Sequence, residues 1–200
     1  MKDLIFATHN HNKLTEIRNL VGKNYNILGL VDLDHNKEVP ENKNTIEGNA
    51  LSKVKFIYNM YHVDCFADDT GLEVYALNKQ PGVYSARFAE MTNDTLDHET
   101  ISESNIRKLL FMLKGEKNRK ARFKTVIALI LNGKEYSFEG IVEGEILCKP
   151  VGDQGFGYDP VFKPDGYSVS FAQMTLEEKN KISHRANAMN QLIAFLNSRK

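Results

Sequence analysis

Apolar positions along this chain follow two rhythms. Leu4-Ile5-Phe6-Ala7 is a short continuous apolar run, the pattern of a buried strand. Leu14, Ile17, Leu20 and Val21 recur at helical spacing and predict a helix over 13–21, followed by a strand over 27–31. Residues 32–43 are polar, hold Pro40 and read as loop. Asn44, with Glu47 three residues on, reads as the start of a helix whose apolar stripe is Ile46, Ala50, Val54, Ile57 and Tyr61. A short strand over 63–67 then runs into two adjacent carboxylates, Asp68 and Asp69, and 72–77 reads as a further strand. Residues 78–91 form a loop region turning at Pro81-Gly82. A helix is expected over 97–114, with Ile101, Ile106, Leu109, Leu110 and Leu113 inward. Strands over 121–131 and 135–147 flank Asn132-Gly133, a two-residue signal for a type I′ hairpin. Glycine- and proline-rich loop surrounds a short strand in 149–166. Thr175 with Glu178 makes a capping box, and Ser183 is placed to cap a final helix buried through Ala186, Met189, Ile193 and Leu196.

This order predicts an α/β fold with a mixed sheet, parallel units first and an antiparallel hairpin in the second half. In such sheets ligands sit where strands end in loops, which directs attention to Asp68 and Asp69. The composition changes the picture little. With 200 residues, 42% hydrophobic and 26% charged, the chain suits one soluble globular domain spanning 1–200. Lys+Arg and Asp+Glu are both 26, so there is no overall basic excess for nucleic-acid binding. No apolar run approaches the roughly 20 residues of a membrane span, and no signal-peptide core follows the first residues. Cys65 and Cys148 have apolar or strand-like neighbours and no metal-ligand spacing, so both are expected as buried, reduced thiols. A cytoplasmic protein without nucleic-acid or membrane partners is the expectation.

Candidate chemistry lies in a few short stretches. Neighbours on a strand point to opposite faces, so Asp68 and Asp69 can share a site only if the chain bends, as Gly71 allows. Two carboxylates together repel and call for a proton or a cation, and Mg²⁺ with phosphate oxygens is a natural answer; a polar surface turn is the plainer one. Thr8-His9-Asn10-His11-Asn12-Lys13 joins the first strand to the first helix. It offers either a capped helix start or an anion site with free N–H groups and the Lys13 charge. His9 and His11 find no further histidine at metal-binding spacing. Gly152-Asp153-Gln154-Gly155-Phe156-Gly157-Tyr158-Asp159-Pro160 combines backbone freedom with aromatic faces suited to a base, or is a turn with packed aromatics. Arg87 closes Pro81-Gly82-Val83-Tyr84-Ser85-Ala86-Arg87 and could reach phosphate or stand on the surface. Lys179 and Ser183-His184-Arg185 are either further site groups or a solvated charge run. Together the acidic pair, the cations and the aromatic loop describe a nucleotide with its phosphates and Mg²⁺.

The stretches "THNHNK", "FADDTGLEV", "PGVYSAR", "GFGYDP" and "EEKNKISHR" resemble, in this order, the inosine triphosphate pyrophosphatase family, over nearly the whole chain. The resemblance implies an elongated two-lobed α/β fold with a long mixed sheet, the nucleotide in a cleft between lobes, and a homodimer. It implies Mg²⁺-dependent hydrolysis of non-standard purine triphosphates (ITP, dITP, XTP) to the monophosphate and pyrophosphate. By position, Thr8, His9, Asn10, His11, Asn12 and Lys13 would contact phosphate. Glu41 and Asp69 would serve the metal, Asp69 also as base, with Asp68 in support. Thr70 would touch substrate; Lys53, Arg87 and Lys179 would meet phosphates; Phe156, Gly157, Tyr158 and Asp159 with His184 and Arg185 would hold the base. The family usually carries Gly where His9 stands, two glycines where Asn78-Lys79 lie, and Arg where Val151 stands. A sensor that binds purine nucleotides without cleaving them is the alternative. Asp69-Thr70-Gly71 also fits an aspartic-protease signature, but no second D-[ST]-G follows and several helices are evident.

Overall fold

The helical and strand periodicities become real elements in the computed structural model, which describes residues 2–21, 25–35, 37 and 39–199. The order is β1 (Lys2–Phe6), α1 (His11–Val21), β2 (Tyr25–Gly29), α2 (Ile46–Tyr61), β3 (Cys65–Val74), β4 (Gln80–Gly82), α3 (Ile101–Met112), β5 (Lys120–Leu131), β6 (Lys134–Ile146), β7 (Phe162–Pro164), α4 (Leu176–Ile182) and α5 (His184–Asn197). The sheet runs β2-β1-β3-β5-β6-β7, with β4 on β3. β1 is parallel to β2 and to β3, while β4 and β7 are antiparallel to β3 and β6. The mixed α/β class is as expected. Asn132 and Gly133 both take positive φ, 50° and 71°, as the predicted hairpin turn requires.

Several local expectations are corrected. The strand predicted over 27–31 runs two residues earlier, at Tyr25–Gly29, and Val31–Leu33 is a 3₁₀ turn. Of the predicted 32–43 loop, Asn36 and Glu38 lie outside the described residues. Thr45, not Asn44, caps α2, its hydroxyl accepting from Gly48 N–H. α3 begins at Ile101 behind a Thr100–Glu103 capping box, which leaves Ile101 exposed on the first turn. Cys148 is exposed and only Cys65 is buried; both are free.

The chain divides into two compact units. Unit 1 is Met1–Asp69, Thr125–Ile141 and Ser183–Lys200. Its core joins Leu4, Phe6, Ile17, Ile27, Phe66, Ile127, Leu129, Met189 and Leu192. Phe6 and Phe66 are register partners on β1 and β3, their rings stacked 4.6 Å apart. Gly140 on β6 matters here, because a Cβ would overlap the His184 carbonyl oxygen and the Ala188 nitrogen; glycine lets the start of α5 approach the strand. Unit 2 is Thr70–Lys124 and Val142–Ile182. Its core is built on Leu72, Val74, Leu109, Leu113, Phe123, Phe162, Phe171 and Met174. Among the described residues no helix is long and apolar enough to cross a membrane.

Candidate active site

β3 does not end at the aspartates. It is one unbroken strand through Asp68, Asp69, Thr70 and Gly71, and the predicted bend is absent. The strand rule therefore holds, and the two carboxylates serve different neighbours. Asp68 is 1% exposed and receives Lys13 Nζ at 2.8 Å and Arg185 Nε at 3.3 Å. Arg185, also 1% exposed, donates through Nη1 to Glu16. Burial opposes charge on Asp68, but Lys13, Arg185 and Lys53 outweigh it and hold the carboxyl well below the usual range. Burial in turn lowers Lys13, against the pull of Asp68. Ser183 caps α5 by accepting from Ala186 N–H, and His184 and Arg185 on the first turn are buried rather than a solvated charge run.

Asp69 is 6% exposed and faces α2. It receives Asn49 Nδ2 and Lys53 Nζ, each at 3.2 Å. Asn49 and Lys53 lie four residues apart, hence on one helix face. Lys53 Nζ also donates to Glu41 at 2.7 Å, and Asn49 Oδ1 accepts from Lys43 N–H at 2.8 Å, fixing the segment that carries Glu41. Burial dominates at Asp69 and raises its pKa despite Lys53 and Lys13, with Glu41 and Asp68 adding to the rise. At Glu41 the balance is reversed: burial opposes the charge, Lys53 prevails, and the pKa falls. Adjacent aspartates are thus pushed in opposite directions, the pattern that separates a base from a fixed charge.

Glu41 and Asp69 are the two carboxylates of this corner that could hold a divalent cation. Glu41 and Asp69 converge on one ammonium, so both carboxylates already face a positive charge. Among the described residues no group of three or more His, Cys, Asp or Glu could hold a metal. Two protein carboxylates, with remaining positions for water and phosphate oxygens, are what Mg²⁺ commonly uses.

The β1–α1 loop is a cap before it is an anion site. Asn10 Oδ1 accepts from Asn12 N–H at 3.0 Å and Lys13 N–H at 3.2 Å, and Thr8 Oγ1 accepts from Asn10 N–H at 3.1 Å. Two of the N–H groups expected to be free are thereby engaged. His9 is not among the residues of positive φ, so histidine needs no glycine-like path where the family usually has Gly. His11 is exposed at the first position of α1.

In unit 2 the glycine loop is held from within. Gly152, Gly155 and Gly157 all take positive φ, and a Cβ on Gly155 would overlap Asp159 Oδ2. That oxygen accepts from Phe156 N–H at 2.8 Å and from Lys179 Nζ at 2.7 Å. Lys179, expected among the phosphate cations, is buried over the Phe156 ring at 5.0 Å. Tyr158 is not an open stacking face: it is buried, and its hydroxyl donates to Ser85 O at 3.0 Å. Phe156, Thr70 and Arg87 are half-buried, the last over the Tyr84 ring at 5.7 Å. Asn78 and Lys79, where the family often has glycines, hold φ of 51° and 65°.

Glu16 and Asn49 were not foreseen. Glu16 flanks the apolar stripe of α1 three residues after Lys13, and Asn49 precedes Lys53 by one helical turn; spacing from a named cation was the available signal.

The Ham1 family model matches residues 4–195. A dITP/XTP pyrophosphatase of Christiangramia forsetii is 51% identical over 193 residues, covering 96% of this chain and 98% of that protein. One from Porphyromonas gingivalis is 49% identical over 198 residues, covering 98% of each. Among solved structures, the Staphylococcus aureus Ham1 protein superposes with a TM-score of 0.85 at 36% identity, covering 100% of both chains. A HAM1 protein from Coxiella burnetii gives 0.86 at 32%, covering 99% of this chain and 100% of its own.

Proposed function

Since the chain belongs to the Ham1 family, we propose that it is a nucleoside-triphosphate pyrophosphatase, cleaving non-standard purine triphosphates (dITP, XTP, ITP) to the monophosphate and pyrophosphate. The names of its relatives support the substrate class. The observation that carries the chemistry is geometric: two adjacent, buried aspartates, Asp68 held by Lys13 and Arg185, and Asp69 held by Asn49 and Lys53 beside Glu41. Asp69, whose carboxylate is the costlier charge, takes the proton of the attacking water as the new oxygen–phosphorus bond forms and the anhydride to pyrophosphate breaks. Asp68 stays ionised and holds the Lys13 ammonium at 2.8 Å, the cation we assign to phosphate. Glu41 and Asp69 are the residues that would hold Mg²⁺, which would neutralise phosphate charge. Lys53 keeps those two carboxylates convergent. Arg185 we assign to orienting Asp68, because its Nε and Nη1 are engaged by Asp68 and Glu16.

On the base side we assign the Phe156 ring to stacking and the Lys179 ammonium, braced by Asp159, to the purine edge. A donor that meets the C6 oxo group of hypoxanthine or xanthine disfavours adenine, whose amino group would leave the donor unpaired. The reading extends to a cytoplasmic homodimer, for which light scattering is the direct measurement.

The test is to incubate the chain with ITP, XTP, ATP and GTP, with and without Mg²⁺, and identify products. Mg²⁺-dependent monophosphate and pyrophosphate, fastest with ITP or XTP, is expected. Free phosphate with a diphosphate would overturn the bond assignment, and absence of turnover would favour a sensor. Asp69→Asn should lower turnover by about 10²-fold or more with folding intact.

A further inference from the structure

The segment between β2 and α2 carries a chain of contacts that the reaction scheme does not use. It begins at the β1–α1 loop. Thr8 is tied by its backbone, its carbonyl accepting from Leu30 N–H at 3.3 Å. One residue on, the His9 side chain turns to the same segment, and its Nε2 lies 2.7 Å from the His35 carbonyl oxygen. A carbonyl can only accept, so Nε2 carries the proton and donates. The two imidazoles stack with centroids 5.9 Å apart. His35 is buried and is fixed in turn by α2: its Nδ1 is 2.7 Å from the Tyr61 hydroxyl, and its ring meets the edges of Phe56 and Tyr61. His35 N–H also donates to Leu30 O at 3.0 Å, so the turn that presents the acceptor is closed on itself.

We propose that His9 is a positioning residue whose hydrogen bond to the His35 carbonyl latches the β1–α1 loop to the segment that Tyr61 anchors on α2, the helix that also carries Asn49 and Lys53. The latch sets the loop before phosphate arrives; the His9 ring itself does not touch phosphate. This rests on the reading of that loop as a phosphate site, so the test needs one measurement that turnover does not enter.

Amide hydrogen exchange of Thr8 to Lys13 supplies it, compared among wild type, His9→Ala, His9→Gln and Tyr61→Phe, alongside kcat and KM for ITP. Glutamine places an amide N–H close to where Nε2 stands. Expected are faster loop exchange and a KM raised about five- to tenfold in His9→Ala, the size of one lost hydrogen bond, with kcat within about twofold. His9→Gln should restore both, and Tyr61→Phe should speed loop exchange to a lesser degree. Unchanged exchange in His9→Ala would overturn the latch. A KM lost equally in Ala and Gln variants would mean that the ring contacts substrate. Tyr61→Phe indistinguishable from wild type would remove α2 from the chain of contacts. Faster exchange in His9→Ala without any wild-type turnover would leave the latch standing and defeat the enzymatic reading instead.

Discussion

Asn in place of Asp should have opposite consequences at two adjacent positions. Asp68 is buried against Lys13 and Arg185. Breaking a buried pair by removing one partner costs about 3–5 kcal/mol. Asparagine keeps an acceptor oxygen and Glu16 still faces Arg185, so we expect the low end, about 3 kcal/mol, for Asp68→Asn at pH 7. The pH dependence identifies the origin of that loss. The folded pKa of Asp68 is depressed, so its contribution is complete above the unfolded value of about 3.9. Below that it is lost at about 1.4 kcal/mol per pH unit as pH falls toward the folded value. Asp69 has the other sign. Its folded pKa is raised, so the stability it contributes belongs to the protonated form, is present below the unfolded pKa and is lost as pH rises through the folded one. At pH 7 its charge is a burden that Asp69→Asn removes, while Lys53 keeps Glu41. The net change for Asp69→Asn should be stabilising or within about 1 kcal/mol of zero. Urea unfolding of the three proteins without metal, at pH 7 and at steps down to about pH 2.5, measures both. Equal destabilisation by the two substitutions, or an Asp68→Asn deficit that stays flat with pH, would refute the assignment of one settled and one unsettled charge.

With Asp69 acting as the base, kcat/KM should show an acid limb that the residual activity of Asp69→Asn lacks; the same limb in both proteins would count against it. Lys79→Gly relieves a φ of 65° at an exposed position and should stabilise by about 0.5–1 kcal/mol after glycine's entropy in the unfolded chain is subtracted, read as a rise in Tm. Gly140→Ala drives a methyl into the backbone of α5 and should cost at least about 2 kcal/mol by the same urea assay.

Periodicity made the elements legible, and the apolar stripes of α2 and α5 are largely those predicted, with Tyr61 and Ile193 only half-buried. The failures share a cause. Thr70-Gly71 reads locally as a break, yet β3 runs through it, paired at one end with the sequence-distant β1 and at the other with β4, which folds back from a stretch that reads as loop. Ile101 carries the right spacing for a buried face, but the cap at Thr100 starts the helix there and the first turn projects into solvent. The site behaved similarly. Acidic and cationic residues could be named from sequence, because charge next to apolar runs is conspicuous, but not who holds whom. The bridging of Asp68 and Glu16 by Arg185 spans three elements, and the pairing of Lys179 with Asp159 joins residues 20 positions apart.

That difference has a chemical consequence. Had both aspartates met on one face, their mutual repulsion would have set their protonation, and either could have served as base. On opposite faces of an unbroken strand, each has its own direct partners: Asp68 the cations of α1 and α5, Asp69 the Asn49 and Lys53 side chains of α2. Strand geometry, rather than a bend at Gly71, is what gives these carboxylates different partners, and on the proposed reading it keeps the fixed charge and the proton acceptor one position apart.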